Sequence, residues 1–358
     1  MKCIPKYPQF SCLKAVRYQK PGIRGVTSSS TCSVHQVPLL PSWDLDVFQV
    51  NAYIPAVPFQ FPRLSSQLPP ACSKWFTHED DPSSLDLGHV SLNNDPGIHP
   101  RSSELNSAFW TEYADTIVPL ELTSTKSTSS SPEDETFQRT EAPLGILLAY
   151  LSSNASKNPT YTLNQPSSQS IYLAQCSLTA LPPSLQQDIP TPDLIARSGP
   201  IKGDIYASSL WLGRPPTYTP LHRDPNPNIF IQLAGQKVVR LLPPEVGAAV
   251  FADVQARIHH DHDHNTSSSA TIRGEDMMSG PEKAVLHAAI WPSESGSNDS
   301  TDSPSHTRAP PPYAQLLSRY AQETTLSTGD ALFIPKGWWH SVKGIGAGVT
   351  ASANWWFR

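Results

Sequence analysis

The chain has 358 residues, of which 38% are hydrophobic, enough for one large or two ordinary domains with a sizeable core. Its 37 prolines and frequent serine and threonine runs favour long loops around a β-sheet framework over a helical bundle. The net charge of −5 argues against a nucleic-acid partner, and no apolar run approaches the roughly 20 residues that span a bilayer, so we expect no membrane partner.

Residues 1–35 are predicted to form a basic, serine-rich leader or disordered tail ahead of the folded domain. Up to residue 43 the chain has six lysines and arginines and no aspartate or glutamate, a composition typical of a mitochondrial transit peptide. Three prolines interrupt the amphipathic helix that such peptides form. Five cysteines without paired spacing favour reduced thiols. We therefore expect an intracellular protein, in the cytoplasm or nucleus, or in mitochondria if the leader is a transit peptide.

The first half of the folded domain is predicted to mix helices and strands. A short helix is predicted at 42–48 with Ser42 as its N-cap, followed by β-rich segments at 50–59 and 116–122. A polar loop follows at 123–136. Leucines spaced at i, i+3, i+4 and i+7 predict a helix at 142–152, and a shorter helix is predicted at 181–189.

The second half is predicted to supply the main strands of a barrel. These strands are 207–213, 219–224, 228–233, 237–242, 331–335, 340–343 and 348–357, with a helix at 245–252 and a tight turn at 326–330.

A polar, low-complexity insertion at about 258–308 interrupts the predicted barrel. Loops of this length within a domain are normally functional or disordered, and we expect 258–282 and 293–308 to be poorly ordered. A histidine-rich run at 259–264 has no rigid surroundings to make it a dedicated metal site. An apolar segment at 284–291 is expected to dock on the barrel.

The sequence His-x-Asp occurs three times, and its context singles out one copy. The copy at 78–80 lies in a polar loop, and the copy at 259–261 lies in the histidine-rich run. Only His222-Arg-Asp224 is followed by strand-like sequence. On an extended segment, residues i and i+2 share a face, so these two side chains are predicted to point together.

A distant histidine completes a set of candidate metal ligands. His340 ends the segment 329–340, which begins with a Gly-Asp turn and includes Trp338-Trp339. Two histidines and one carboxylate hold Fe(II) on one face and leave three positions open. We therefore predict that His222, Asp224 and His340 are both the metal ligands and the catalytic centre.

The segments at 200–245 and 311–358 resemble the JmjC/cupin-8 group of Fe(II)- and 2-oxoglutarate-dependent oxygenases, most closely its small hydroxylases of the asparaginyl-hydroxylase type. A weaker likeness covers Ile171-Tyr-Leu-Ala-Gln175, which is similar to the tyrosine-containing strand of that group. The resemblance implies a mainly β fold with flanking helices, a double-stranded β-helix (jelly-roll, cupin) barrel, over residues 36–358. It also implies an enzyme with Fe(II) as cofactor and 2-oxoglutarate and O2 as co-substrates.

The same resemblance implies a co-substrate pocket. Lys237, fifteen residues after His222, matches the lysine that pairs with the far carboxylate of 2-oxoglutarate. The resemblance assigns further contacts in this pocket to hydroxyl, amide and aromatic side chains: Thr219, Tyr172, Asn228, Asn354 and Phe230.

The predicted reaction is hydroxylation of a protein side chain. The alternatives are N-methyl-lysine demethylation or hydroxylation of a tRNA base, and a cupin-like interaction module without turnover. The module is disfavoured because every metal ligand is present, and the acidic balance argues against tRNA. Demethylation is disfavoured because the sequence lacks the zinc-finger Cys/His spacing that chromatin demethylases usually carry. Small JmjC hydroxylases commonly continue into C-terminal dimerisation helices that we do not expect here, so the oligomeric state stays open.

Overall fold

Two β-sheets form the framework of the protein. The computed structural model describes residues 34–78, 102–125, 135–153, 168–195, 199–261, 278, 280–292 and 313–358. In chain order the strands are β1 His35–Gln36, β2 Phe59–Phe61, β3 Phe76–His78, β4 Ser103–Leu105, β5 Ile117–Thr125, β6 Glu135–Pro143, β7 Ser168–Ser177, β8 Ile205–Gly213, β9 Thr217–Arg223, β10 Asn228–Ala234, β11 Gln236–Leu242, β12 Gln322–Ser327, β13 Ala331–Ile334, β14 Trp339–Ile345 and β15 Thr350–Phe357.

The strands assemble mainly in antiparallel pairs. One sheet has five strands in the order β1-β12-β11-β14-β9, and the other has eight in the order β2-β13-β10-β15-β8-β7-β5-β6. Strands β3 and β4 form a separate hairpin-like pair. The two large sheets, with helices around them, are consistent with the predicted jelly-roll (cupin) fold, and the predicted fold class is confirmed.

Helices flank the sheets, chiefly in two groups. They are α1 Leu45–Phe48, α2 Ala71–Lys74, α3 Ser107–Trp110, α4 Leu144–Ser152, α5 Pro183–Asp188, α6 Pro244–Asp261, α7 Gly280–Ile290 and α8 Tyr313–Tyr320. The predicted helices at 142–152 and 181–189 correspond to α4 and α5. No described helix is both long enough and apolar enough to cross a membrane.

Strict alternation along the strands divides the apolar residues into layers. On β10, Ile229, Ile231 and Leu233 face the largest cluster, which packs the eight-stranded sheet against α1 to α5. Phe230 faces the other way, into a small cluster between the sheets. A third cluster packs α6, α7 and α8 on the outer face of the five-stranded sheet. The space between the sheets is therefore only partly filled by apolar side chains.

Two predictions near the start of the domain are wrong. The N-cap of α1 is Asp44, whose carboxylate accepts the Val47 N–H at 3.0 Å, whereas the Ser42 hydroxyl accepts the N–H of Asp44. The predicted β segment at 50–59 is strand only at its end. Residues 49–53 continue α1 as a π-helical turn, because Val50 is exposed and gains nothing from a pleated, half-buried sheet.

The insertion contributes two helical segments to the described structure. The predicted helix at 245–252 extends as α6 to Asp261, and the predicted apolar segment at 284–291 lies largely in α7. Leu286, Ile290 and Trp291 are buried against the barrel, which confirms that this segment docks there. The disorder expected at 258–282 and 293–308 falls mainly on 262–277, 279 and 293–308, outside the described residues. At 258–261 and 280–282 the expectation is wrong, because these residues belong to α6 and α7. Residues 1–33, which contain almost all of the predicted leader, also lie outside them.

Candidate metal and co-substrate site

A bulge in β9 sets the directions of the candidate ligands. In the pairing of β9 with β14, His340 lies opposite His222 and Val342 lies opposite Thr219. One residue of β14, Ser341, therefore faces two residues of β9, which is the pattern of a β-bulge. Three residues apart on a straight strand, Thr219 and His222 would face opposite sides. The extra residue brings both onto the inner side.

The structure brings the three predicted ligands together. His222 is the last residue but one of β9, Asp224 lies just beyond the end of that strand, and His340 is the second residue of β14, opposite His222. The Nε2 atom of His222 lies 4.0 Å from one Asp224 oxygen, and the Nε2 atom of His340 lies 3.6 Å from the other. One donor atom from each residue lies within 4.8 Å of the others, so all three can bind one ion.

Backbone carbonyls hold both imidazole rings in one tautomer. The Nδ1 of His222 donates to the Pro220 carbonyl at 2.9 Å, and that of His340 donates to the Trp338 carbonyl at 3.3 Å. Since a carbonyl only accepts, Nδ1 carries the proton in each ring and Nε2 presents its lone pair. Each acceptor comes from two residues earlier in the same chain segment.

The surroundings of His340 and Asp224 favour states of these side chains that can bind a metal ion. Burial, followed by the neighbouring His222, lowers the pKa of His340 to about 4, so its ring is neutral near pH 7. Asp224 is buried and accepts a hydrogen bond from the Asn228 amide at 3.0 Å. Two imidazoles and a carboxylate are the donors that suit Fe(II). These residues therefore fit the implied metal.

The candidate ligands open into a cavity between the two large sheets. The cavity is lined by Trp211, Thr219, His222, Asp224, Asn228, Phe230, Lys237, Ile334, His340, Val342, Asn354 and Trp356. Eight of the nine residues singled out from the sequence are thus brought to one cavity. The ninth, Tyr172, lies behind it and reaches Lys237.

Lys237 is a buried cation on β11 that faces this cavity. It is 2% exposed, and its ammonium donates to the Ser352 hydroxyl at 2.7 Å and to the Tyr172 hydroxyl at 3.3 Å. Among the described residues, no carboxylate lies within ion-pair distance of it. Burial lowers the pKa of Lys237 to about 7. The side chain therefore presents an uncompensated positive charge when protonated.

Tyr172 on β7 and Asn354 on β15 support the cavity wall from the two strands that flank β8. Burial raises the pKa of the Tyr172 phenol, so its hydroxyl stays neutral beside Lys237. The ring fits against Gly213, where any Cβ would lie 2.3 Å from a Tyr172 ring carbon. The Asn354 side-chain oxygen accepts from the Trp211 indole at 2.7 Å.

Five residues at the cavity were not singled out from the sequence. Ser352 contacts Lys237, and four further residues line the cavity: Trp211, Ile334, Val342 and Trp356. Ser352 and Trp356 lie two residues before and after Asn354 on β15, so their shared face could have been found by alternation. Asn228 and Trp356 are cross-strand neighbours, and the Asn228 oxygen and the Trp356 indole nitrogen are both buried with no hydrogen-bond partner among the described residues. They offer one acceptor and one donor at the cavity wall.

Comparison with known proteins agrees with this geometry. The model of the cupin-like domain family matches residues 99–358. Lysine-specific demethylase 8 of Danio rerio is 28% identical over 186 residues, which cover 52% of this chain and 36% of that protein. Jumonji C domain-containing protein 5 of Drosophila melanogaster is 28% identical over 185 residues, again 52% and 36%. The matched region spans about a third of the length of these relatives.

The family match covers well over half of the chain, including every strand that contributes to the cavity. Both relatives fit the resemblance to the JmjC/cupin group, and that prediction is confirmed. The chain belongs to the cupin-like domain family.

Proposed function

We propose that this chain hydroxylates a protein side chain with Fe(II), 2-oxoglutarate and O2. The observation that carries the proposal is the joint placement of the His222, Asp224 and His340 donors and the buried Lys237 ammonium in one cavity. A metal site alone would serve many reactions. A metal site that shares its cavity with a buried cation suits a co-substrate with a carboxylate at each end.

The protein residues divide the work between metal and co-substrate. His222, Asp224 and His340 would hold Fe(II), which supplies the oxidation of a C–H bond by O2 when it is bound. Lys237 would bind the far carboxylate of 2-oxoglutarate, and that anion would raise the lysine pKa from about 7 and keep it charged. Thr219, Ser352 and Tyr172 would orient this carboxylate through hydroxyl groups.

The remaining walls control what else enters. Phe230, Ile334 and Val342 give the cavity an apolar side that excludes water. Excluding water protects reactive species from side reactions and strengthens the contact between Lys237 and its anion. Asn228 would hold Asp224 in place through the amide contact already described, and Asn354 would fix the position of the Trp211 indole.

Demethylation of N-methyl-lysine is the second candidate, because the name of the Danio rerio relative states a lysine-specific demethylase. Both reactions begin with oxygen insertion into a C–H bond. Hydroxylation keeps the oxygen on the product, whereas a hydroxylated N-methyl group leaves as formaldehyde. The chain and its substrate are proposed to meet in the cytoplasm or nucleus.

The test is an untargeted search for the product. The chain is incubated with Fe(II), 2-oxoglutarate and cell lysate, and peptides are examined for the gain of one oxygen atom or the loss of one methyl group. We expect oxygen gain that depends on 2-oxoglutarate and is absent with His222→Ala. Methyl loss with formaldehyde release would favour the demethylase. If the chain binds Fe(II) and 2-oxoglutarate but forms neither product, it would be an interaction module without turnover.

A further inference from the structure

A chain of hydrogen bonds connects the end of α7 to the bulge beside the candidate metal site. Trp291 follows α7, is 5% exposed, and donates its indole N–H to the Ser341 hydroxyl at 3.1 Å. The Ser341 hydroxyl donates in turn to the Thr219 carbonyl at 2.9 Å. Ser341 is fully buried, so these bonds are shielded from competing water.

Ser341 is the residue of β14 that faces the extra residue of β9. Its partners in the bulge are Pro220 and Leu221. A bulge disrupts the ladder locally, and proline has no N–H to contribute. At this irregular point, the Ser341 hydroxyl donates a side-chain hydrogen bond to the Thr219 carbonyl. The Pro220 carbonyl accepts from His222, so the bulge also orients a proposed metal ligand.

Two cations fix the position of the Trp291 ring. The guanidinium carbon of Arg240 lies 4.2 Å from the ring centroid, and the ammonium of Lys343 lies 4.4 Å from it. Arg240 also donates to the carbonyl of Ile290, the last residue of α7. Arg240 pairs with Ser341, and Lys343 is two residues further along β14, so all three share one sheet face. The sheet therefore places the indole N–H over Ser341.

We propose that Trp291 is a positioning residue for the metal centre. Through Ser341 it fixes the bulge, and the bulge sets the directions of His222 and Thr219 toward the cavity. This inference rests on the proposed metal site. It makes α7, which lies outside the cavity, part of what holds the donor set in place.

The test compares Trp291→Phe and Ser341→Ala with a matched control. Trp110→Phe makes the same chemical change at a buried tryptophan, whose N–H donates to the Trp75 carbonyl at 2.9 Å in the largest apolar cluster, separate from the cluster that contains Trp291. Each full-length variant is titrated with Co(II), whose visible absorption reports ligand geometry without turnover. Melting temperatures are measured in parallel.

We expect both site variants to weaken Co(II) binding about 10-fold and to change the Co(II) spectrum, since groups that orient metal ligands have effects of that size. Their double variant should be little worse than either single variant, because the two residues act in one chain. Trp110→Phe should lower the melting temperature and leave the Co(II) affinity and spectrum unchanged.

Wild-type affinity and spectrum in Trp291→Phe and Ser341→Ala would overturn the inference and leave the proposed function standing. Failure of the wild-type chain to bind Co(II) would overturn both. If Trp291→Phe does not fold, Ser341→Ala decides alone, because it removes a single oxygen atom from the chain.

Discussion

Lys237 and Arg240 are cations three residues apart on β11, and they lie on opposite faces of the same sheet. Arg240 faces the helices, and all three of its guanidinium nitrogens donate to protein atoms. The Nε donates to Glu323 at 2.8 Å, and the other two nitrogens donate to Glu323 and to the Ile290 carbonyl. Lys237 faces the cavity and has two hydroxyl partners. The protein compensates the charge of Arg240 with a carboxylate and does not do so for Lys237 among its described residues.

The difference separates a charge that stabilises the fold from one that prepares a site. A partly buried ion pair with several hydrogen bonds holds β11, β12 and α7 together. An unpaired buried ammonium costs stability unless a ligand brings the missing anion. Because side chains alternate along β11, the strand places one cation toward the helices, where a protein carboxylate pairs with it, and one toward the cavity. The carboxylate of a ligand would pair with the second, Lys237.

The largest effect is expected when Lys237, the cation that faces the cavity, is removed. Lys237→Ala should raise the KM for 2-oxoglutarate about 30-fold or more, because loss of one buried charge partner costs roughly 2–5 kcal/mol. Fe(II) affinity should stay close to wild type, since Lys237 is not among the candidate ligands. Succinate release measured against 2-oxoglutarate concentration gives the KM.

The comparison variant for that experiment is Arg240→Ala, which removes a cation from the same strand that lies outside the cavity. It should raise the KM far less than Lys237→Ala does, because Arg240 acts on the site only through its contact with Trp291. An equal rise of KM in both variants would show that general damage to β11, rather than the missing inward charge, weakens the co-substrate.

A second test uses pH. The pKa of Lys237 is lowered on folding from 10.5 to about 7, so the unfolded chain binds more protons than the folded chain between these values. The free energy of unfolding without 2-oxoglutarate should therefore rise with pH across that window, by at most about 3 kcal/mol between about pH 7 and 9.

Lys237→Met should remove this rise, because methionine fills the site without a titrating group. Urea unfolding of wild type and variant at several pH values measures it. The same slope in both proteins would place the proton difference on another group and would contradict an uncompensated charge at Lys237.

The smallest expected effect belongs to the outward cation. Arg240→Ala should lower the free energy of unfolding by about 1–2 kcal/mol, since it removes hydrogen bonds to Glu323 and Ile290 and a cation–π contact with Trp291. Chemical unfolding measures this loss. Glu323→Gln serves as the partner variant, and little change in both would mean that this pair contributes no net stability.

Sequence reasoning identified the strands and the convergence of residues at the cavity because two physical signals were strong. The buried strand β10 is rich in apolar residues and is bounded by turn residues. His222 and Asp224 stand out because strand-like sequence follows them. Strands β6 and β12 were missed because both are rich in polar residues, and their pairing depends on neighbours distant in sequence.

The bulge in β9 and the contact between Trp291 and Ser341 could not have been predicted in the same way. Alternation from Thr219 assigns Leu221 to the inner face and His222 to the outer face, which is the reverse of the structure. The direction of alternation changes because one residue of β14 faces two residues of β9. Pro220 is compatible with a bulge, but the pairing with β14 decides where the bulge lies. Long-range pairing therefore decides the geometry of the site.

The bulge also limits how this site can be transferred to another protein. A designer who copies Thr219, His222 and Asp224 at their spacing onto a regular antiparallel strand would direct the threonine to the wrong side of the sheet. A working graft needs either one residue fewer between threonine and histidine, or a host strand with the same irregularity and a hydroxyl opposite it. The portable unit is therefore a strand pair, β9 with β14, rather than a sequence motif.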